Sequence, residues 1–481
     1  MRLYSSAPRI SLGKENFMTV QLAHFTPFHE RMMAEQLPEI FINSFAHYYE
    51  KLVAGEDGMI PEDSIIPIDT LMDADVLPAS LDMVGREAVS RTVVIKLNGG
   101  LGTGMGLTGP KSLLKVKDGL SFLDIIARQA IGIGSPLILM NSFATDGASL
   151  DVLSRYPALQ HELPPSFLQH KEPKVSAVDF SPACYPDDRD LEWCPPGHGD
   201  LYIALATSGM LDEMLAAGFE YAFVSNADNL GAVLDFRILG HMVSCGLPFL
   251  MEVADRTPAD RKGGHLAQHV DGQLVLREIA QCPADDMAAF QDIGRHRYFN
   301  TNNLWLHLPT LQSVLIERDY HLGLPMIRNR KTIDPRDPDS MPVYQLETAM
   351  GSAIEVFGGA AAIRVPRTRF APVKKTEDLL AVRSDAYVLT PDNRVVLARE
   401  RRGTPPTVEL IGDGYRFVSD LDARFPAGVP SLRRCNRLVV EGDFRFGRGI
   451  ILRGDVRFRN TNGKCKTVPD GLSLEDQEWP G

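Results

Sequence analysis

The stretch Thr92-Val-Val-Ile-Lys-Leu-Asn-Gly-Gly-Leu-Gly-Thr-Gly-Met-Gly-Leu-Thr-Gly-Pro-Lys-Ser112 decides how this chain is read. Thr92–Leu97 is rich in β-branched and aliphatic side chains and predicts a short buried strand. Gly99, Gly100, Gly102, Gly104, Gly106 and Gly109 follow directly. A strand that runs into such a loop lets backbone approach a ligand closely and turn N–H groups toward phosphate oxygens. Lys111, at the end of the loop, adds a compact positive charge. Two common phosphate loops do not fit. A Walker A loop has glycine immediately before its lysine, and here Pro110 intervenes. A dinucleotide fingerprint needs glycine three residues after Gly102, where this chain has Met105. The glycines lie between apolar segments rather than in polar low-complexity sequence, so they read as a nucleotide-phosphate loop and not as a linker.

Working outward, Phe122–Ala130 predicts a helix, Pro136–Met140 a second strand, Leu201–Ala217 helix, Tyr221–Ser225 a third strand and Phe249–Val253 a fourth. Strands alternating with helices predict an open α/β sheet covered on both faces. Upstream, Leu37, Phe41, Phe45, Tyr48 and Leu52 recur at three- and four-residue steps, predicting one amphipathic helix within Thr26–Leu52. Gly55–Pro67 reads as loop. Beyond residue 385 the pattern changes: Glu441-Gly-Asp-Phe-Arg-Phe446 returns as Arg453-Gly-Asp-Val-Arg-Phe458, which suits a β-solenoid or a plain hairpin. The expected division is an N-terminal helical segment over 1–90, a catalytic domain over 91–385, a linker over 386–405 and a C-terminal domain over 406–481.

Composition excludes several classes. Of the 481 residues, 44% are hydrophobic and 23% charged, the balance of a globular protein of about two to three domains. Fifty basic against 62 acidic residues give a net charge of −12, with no basic stripe for nucleic acid. No apolar run reaches the roughly 18–20 residues of a membrane span. Cys184, Cys194, Cys245, Cys282, Cys435 and Cys465 are scattered without zinc spacing, as expected of reduced thiols, and the start shows no secretory signal; a cytoplasmic location is expected.

Further candidates come from residue type and place. Asp228, in Val224-Ser-Asn-Ala-Asp-Asn-Leu-Gly231, falls just past a predicted strand's C-terminal end, where open α/β sheets keep ligands. A carboxylate there suits Mg²⁺, or else caps a helix. His198, in Trp193-Cys-Pro-Pro-Gly-His-Gly-Asp200, is flanked by glycines after a rigid Pro-Pro. Glu278, Asn300 and Asn302 carry groups suited to a hydroxyl-rich ligand.

The loop resembles that of eukaryotic-type UDP-glucose pyrophosphorylases, with Gly104 where the wider nucleotidyltransferase class has arginine. The resemblance runs from about residue 26 to 472 and is closest to trypanosomatid-type enzymes around 104–106, 262–267 and 370–373. It implies a Rossmann-like nucleotidyltransferase domain, a mixed central sheet with helices on both faces, followed by a left-handed β-helix. The implied reaction is uridylyl transfer from UTP to glucose 1-phosphate, giving UDP-glucose and pyrophosphate with Mg²⁺ as cofactor. By resemblance, Leu97, Asn98, Gly99 and Gly100 cradle uridine. Gln169, in Ser166-Phe-Leu-Gln-His170, reads the uracil edge with Gly197 nearby, and His198 and Lys111 face the phosphates. Asp228 holds the metal, Asn226, Gly264, Glu278, Asn300 and Asn302 face the sugar, and Lys374, in Arg369-Phe-Ala-Pro-Val-Lys-Lys-Thr376, contacts phosphate beside a solvated Lys375. A broad-specificity UDP-sugar pyrophosphorylase and a catalytically silent UTP-binding subunit remain the alternatives, and a monomer is favoured over a homo-oligomer.

Overall fold

The computed structural model describes residues 14–480, with side chains from His24 onward. Its central sheet runs, edge to edge, through Met72–Asp73, Ala361–Arg364, Phe249–Asp255, Tyr298–His307, Tyr221–Asn226, Thr92–Asn98, Leu137–Asn141 and Ser166–Leu168. Thr92–Asn98 pairs in parallel with both neighbours, whereas Tyr298–His307 is antiparallel to Tyr221–Asn226 and Phe249–Asp255. The sheet is therefore mixed, as expected. Successive side chains of Thr92–Asn98 enter opposite layers: Val94 packs in one hydrophobic cluster with Phe223 and Trp305, Val93 and Ile95 in another with Ala222 and Val224. Burial on both faces explains the near-continuous apolar run. The following helix, Phe122–Ile133, opens with a Ser121–Asp124 capping box and stops at Gly134, which takes φ +75°.

Three local expectations need correction. The single helix expected within Thr26–Leu52 is two, Lys14–Ala34 and Glu39–Val53. Pro38 cannot continue the first and disfavours helix at Leu37, and Gln36 turns through φ +58°. Leu201–Ala217 divides likewise into Leu201–Thr207 and Met210–Ala216 at Gly209, φ +78°. The region 1–90 is not only helical: Ile65–Pro67 pairs with His265–His269, and Met72–Asp73 forms an edge of the central sheet.

Residues 386–405 hold an antiparallel hairpin, Tyr387–Leu389 with Val395–Leu397, rather than open linker. Beyond it Thr407–Ile411, Ser431–Glu441, Ile451–Arg459 and Ser473–Glu475 lie side by side in parallel, and Phe444–Phe446 pairs in parallel with Lys466–Val468. Parallel pairing rules out a plain hairpin. The two Gly-Asp repeats do not stack on each other. Val456 pairs with Leu438, and Phe444 with Lys466. The pairings Ser431 with Ile451 and Ile451 with Ser473 set offsets of 20 and 22 residues, longer than the sequence repeat. These strands share a hydrophobic cluster with one face of the central sheet, joining Val94, Phe122 and Val373 to Leu432, Phe458 and Leu474. Among the described residues no helix is long and apolar enough to cross a membrane, and the six cysteines are unpaired.

Candidate active site

The Gly-rich loop and Asp228 leave the sheet side by side. Asn226 is in register with Leu97, and the Ala227 N–H donates to the Leu97 carbonyl at 3.0 Å. The loop turns through Gly102 at φ +67° and Gly106 at φ +74°, and closes where the Lys111 N–H donates to the Gly100 carbonyl at 3.0 Å. This brings Lys111 Nζ to 2.6 Å from Asp228 Oδ2, the side chains 16% and 20% exposed. Asp228 Oδ1 is buried and has no hydrogen-bond partner. An unpaired buried carboxylate oxygen is costly, and this one retains the capacity to accept a further partner. A hard cation fits it. Mg²⁺ in particular takes one or two carboxylates and completes its shell with phosphate oxygens and water. Gly106 also receives the C-terminal half: a Cβ there would lie 2.8 Å from the Phe417 ring.

At the expected uracil end, a Cβ on Gly99 would lie 2.3 Å from Gln169 Oε1, so Gln169 rests on the loop. Its neighbour His170 is fixed by Asp200, which accepts from the His170 N–H at 2.7 Å and pairs with Nδ1 at 2.7 Å, while Phe41 stacks on the ring at 4.2 Å. Asp200 thus anchors Gln169 from the Pro-Pro-Gly-His-Gly-Asp segment, a role that segment's sequence does not announce. Gly197, at φ +78°, admits the Thr348 backbone, whose oxygen would lie 2.5 Å from a Cβ. His198 Nδ1 accepts from the Met350 N–H at 2.9 Å. The ring is therefore neutral with its proton on Nε2, and burial pulls its pKa down to about 4. Asn98 is turned inward, donating to Asn141 at 2.7 Å and Ser149 at 2.8 Å, so only its backbone is free to face a ligand.

The expected sugar residues converge as well. Opposite Glu252 and Val253 the strand Tyr298–His307 bulges: Glu252 pairs with Asn303 and Val253 with Asn300, leaving Thr301 and Asn302 extra. Asn302 takes φ +56°, and its Oδ1 accepts from Asn300 Nδ2 at 2.8 Å. The Asn300 N–H donates to the Gly264 carbonyl at 3.2 Å, and a Cβ on Gly264 would lie 2.4 Å from the Glu278 carboxyl carbon. Burial raises the Glu278 pKa, opposed by the charge of Lys374 and the Gly264 N–H. Lys374 therefore stands near Glu278, and the adjoining Val373 N–H donates to the Asp228 carbonyl at 3.2 Å. Lys375 is exposed at the start of helix Thr376–Arg383.

Sequence reasoning missed the device that joins these loops. Asn229 Nδ2 donates to the Arg369 carbonyl at 3.1 Å, while its Oδ1 accepts from Ala371 N–H at 3.0 Å and Gly231 N–H at 3.2 Å. The side chain next to Asp228 thus holds the segment that carries Lys374. Arg369 is buried on Glu252, with Nε at 2.7 Å and Nη2 at 2.5 Å, and Glu252 also accepts from Asn303 at 2.9 Å and Trp305 at 3.0 Å. Beside them Lys96 Nζ donates to Ser225 at 2.6 Å and the Ala232 carbonyl at 2.8 Å. Burial, reinforced by Arg369, draws its pKa down to about 7. The available signal was a lone charge in each apolar strand, Lys96 and Glu252.

A mixed α/β sheet with a Gly-rich loop, a lysine and an aspartate at adjoining strand ends defines a nucleotidyltransferase-like protein. The chain belongs to the UTP–glucose-1-phosphate uridylyltransferase family, whose profile matches residues 41–453. It is 41% identical over 400 residues to a probable UTP–glucose-1-phosphate uridylyltransferase of Schizosaccharomyces pombe, covering 82% of this chain and 78% of that one. The enzyme of that name from Solanum tuberosum is 40% identical over 405 residues, 82% of each chain. Among solved structures, a UDP-glucose pyrophosphorylase mutant from Leishmania major superposes with TM-score 0.88 at 43% identity, over 95% of this chain and 99% of that one. The Trypanosoma brucei structure named as UDP-glucose phosphorylase gives 0.86 at 42%, over 95% and 100%. The trypanosomatid likeness read from the sequence agrees with these neighbours.

Proposed function

We propose that the protein transfers uridylyl from UTP to glucose 1-phosphate, forming UDP-glucose and pyrophosphate reversibly. One observation carries the site reading: Asp228, bound through one oxygen to Lys111, holds its other oxygen buried and unpaired beside the Gly-rich loop. A phosphate oxygen of glucose 1-phosphate attacks the α-phosphorus of UTP in line. The new P–O bond forms as the bond to the β-phosphate oxygen breaks, and pyrophosphate leaves with the electron pair. The nucleophile is already an anion, so no general base is required. Bringing two polyanions together is the obstacle, and positioned charge is the remedy. Asp228 would hold Mg²⁺, which supplies charge neutralisation on the phosphates. Lys111 and Lys374 add fixed positive charge, and the neutral His198 offers its Nε2–H to a phosphate oxygen. The backbone of Leu97–Gly100 with Gln169 and Gly197 receives uridine, and Asn226, Gly264, Glu278, Asn300 and Asn302 receive the sugar.

Two solved structures of the Leishmania major UDP-glucose pyrophosphorylase support the reading: a mutant in complex with UDP-glucose, and the enzyme in open and closed forms. Closure would keep water from competing with the sugar phosphate. Parallel pairing with offsets of 20 and 22 residues supports a β-helix in the C-terminal part, and its left hand follows from the family resemblance. On this reading residues 91–385 form the catalytic domain and 406–481 the β-helix, in a cytoplasmic monomer.

The test is pyrophosphate release from UTP and Mg²⁺ with glucose 1-phosphate, galactose 1-phosphate or N-acetylglucosamine 1-phosphate. Marked preference for glucose 1-phosphate is expected. Equal rates would make the enzyme broad in specificity, and no release despite UTP binding would overturn the proposal.

A further inference from the structure

Residues 386–481 carry 16 basic and 13 acidic side chains, in a chain whose total is 50 against 62, so the C-terminal part is positive on an otherwise acidic molecule. Much of that excess gathers in a groove of about 570 Å³ lined by Glu400, Arg401, Arg402, Thr404, Arg433, Arg434 and Asn436. Irregular pairing builds it. Strand Ser431–Glu441 slips register between Ser431 and Arg434 and again between Cys435 and Arg437. Its core side chains Leu432, Cys435 and Leu438 consequently recur every third residue, and two polar residues stand between each pair. Regular alternation would have sent Arg433 and Arg434 to opposite faces.

The polar backbone at this irregularity is tied down from both sides. Asp385 accepts from the N–H groups of Leu432 at 2.9 Å and Arg433 at 3.0 Å, and from the Ser431 hydroxyl at 2.7 Å. Arg401, only 7% exposed, donates from one side to the carbonyls of Leu432 and Cys435, and to Thr404 O at 2.8 Å. Arg402 is held at φ +49°, a conformation that costs a non-glycine residue. The surroundings therefore fix the floor of the groove before anything enters it.

The charge above that floor is only partly answered. Arg433 faces Glu400 at 3.4 Å and Asp385 at 3.7 Å, yet its Nε is buried without a hydrogen-bond partner. Arg402 and Arg434 are exposed and, among the described residues, have no carboxylate within ion-pair distance. Guanidinium groups grouped in this way match the planar, multiply charged oxygens of a phosphate, and Thr404 and Asn436 add neutral hydrogen-bonding groups. We propose that this groove binds a soluble phosphate-bearing anion, at a site made of residues that take no part in the proposed chemistry.

The probe is inorganic tripolyphosphate, titrated calorimetrically in metal-free buffer at physiological ionic strength. Three forms are compared: the unsubstituted protein, R402N/R434Q and K111A/K374A. Asparagine tolerates the left-handed backbone at 402, so the first double variant removes charge without adding strain. The unsubstituted protein is expected to show two binding events. R402N/R434Q should lose one, weakened at least about tenfold, while keeping its rate of pyrophosphate release. K111A/K374A should lose the other. R402K/R434K should bind at the groove with intermediate strength, because lysine keeps the charge but not the fork. An R402N/R434Q titration identical to that of the unsubstituted protein would overturn the proposal, as would loss of all binding in K111A/K374A. Co-sedimentation with phosphatidylcholine vesicles containing phosphatidylinositol phosphate, without tripolyphosphate binding, would replace the soluble ligand by a membrane surface and equally overturn it. Pyrophosphate release tests the catalytic reading separately, so the two failures are distinguishable.

Discussion

Asp228, just past the end of one strand of the central sheet, and Glu252, inside another, are acidic residues that the protein treats oppositely. At the strand ends Asp228 leaves an oxygen buried and unmet, and the Nε2–H of His198 finds no partner among the described residues. In the layer behind, both oxygens of Glu252 are filled by Arg369, Asn303 and Trp305, and Arg369 passes the connection through its carbonyl to Asn229. The front leaves hydrogen-bonding capacity unmet, and the back spends all of it on position. Unmet capacity of this kind is costly, and a satisfied network behind it holds the strand ends that carry it in place.

Substitutions can break that contrast. Glu252→Ala should have the largest effect, leaving the Arg369 guanidinium buried without a counterion and costing about 3–5 kcal/mol in urea-monitored unfolding. A small loss there would show the rear layer to be less spent than its geometry indicates. Asn229→Ala should cost about 1–3 kcal/mol, because the half-buried Ala371 N–H loses its acceptor, and should also lower kcat by loosening the Lys374 segment. If kcat falls while stability holds, Asn229 belongs to the front instead. Lys374→Ala should lower kcat by more than about tenfold, roughly 1.4 kcal/mol of barrier, and leave UTP affinity and the melting temperature as they were. An unchanged kcat removes Lys374 from the mechanism.

The smallest effect concerns pH. Folded His198 resists protonation until about pH 4, whereas in the unfolded chain it titrates near the ordinary histidine value of about 6.5. As pH falls through that window the unfolded state takes up a proton that the folded state refuses, so stability declines. His198→Gln should therefore narrow the difference in melting temperature between pH 7 and pH 5. An undiminished difference would assign the acid sensitivity to other groups.

Much of the front was legible because it is local. A strand, a run of glycines and a lysine follow one another in sequence, and Asp228 sits where a strand stops. The residues expected at the sugar became legible only through family resemblance, since asparagines in a strand and a glutamate beside one are chemically ordinary until a bulge brings Asn300 and Asn302 together. The rear network was illegible for a different reason. Arg369 lies 117 positions from Glu252, and neither residue type names its partner. The Gly-Asp repeat marks the parallel strands but not their partners: two similar strings mark similar corners, and which strands pair is set by the length of chain between them. Pro38, by contrast, was a plain helix stop overruled by an apolar pattern that ran across it.

The ring of Phe417 on Gly106 carries a consequence for how the protein is made. The ribosome releases the Gly-rich loop about three hundred residues before the aromatic side chain that rests on it. The same delay applies to the hydrophobic face that joins Val94 to Phe458 and Leu474. Chains emerge amino-terminus first at roughly 5–20 residues per second, so the loop and its strand stay uncovered on one flank for tens of seconds. Nascent chains released between Lys374 and Phe417 would carry every residue assigned to the chemistry and still lack a finished core.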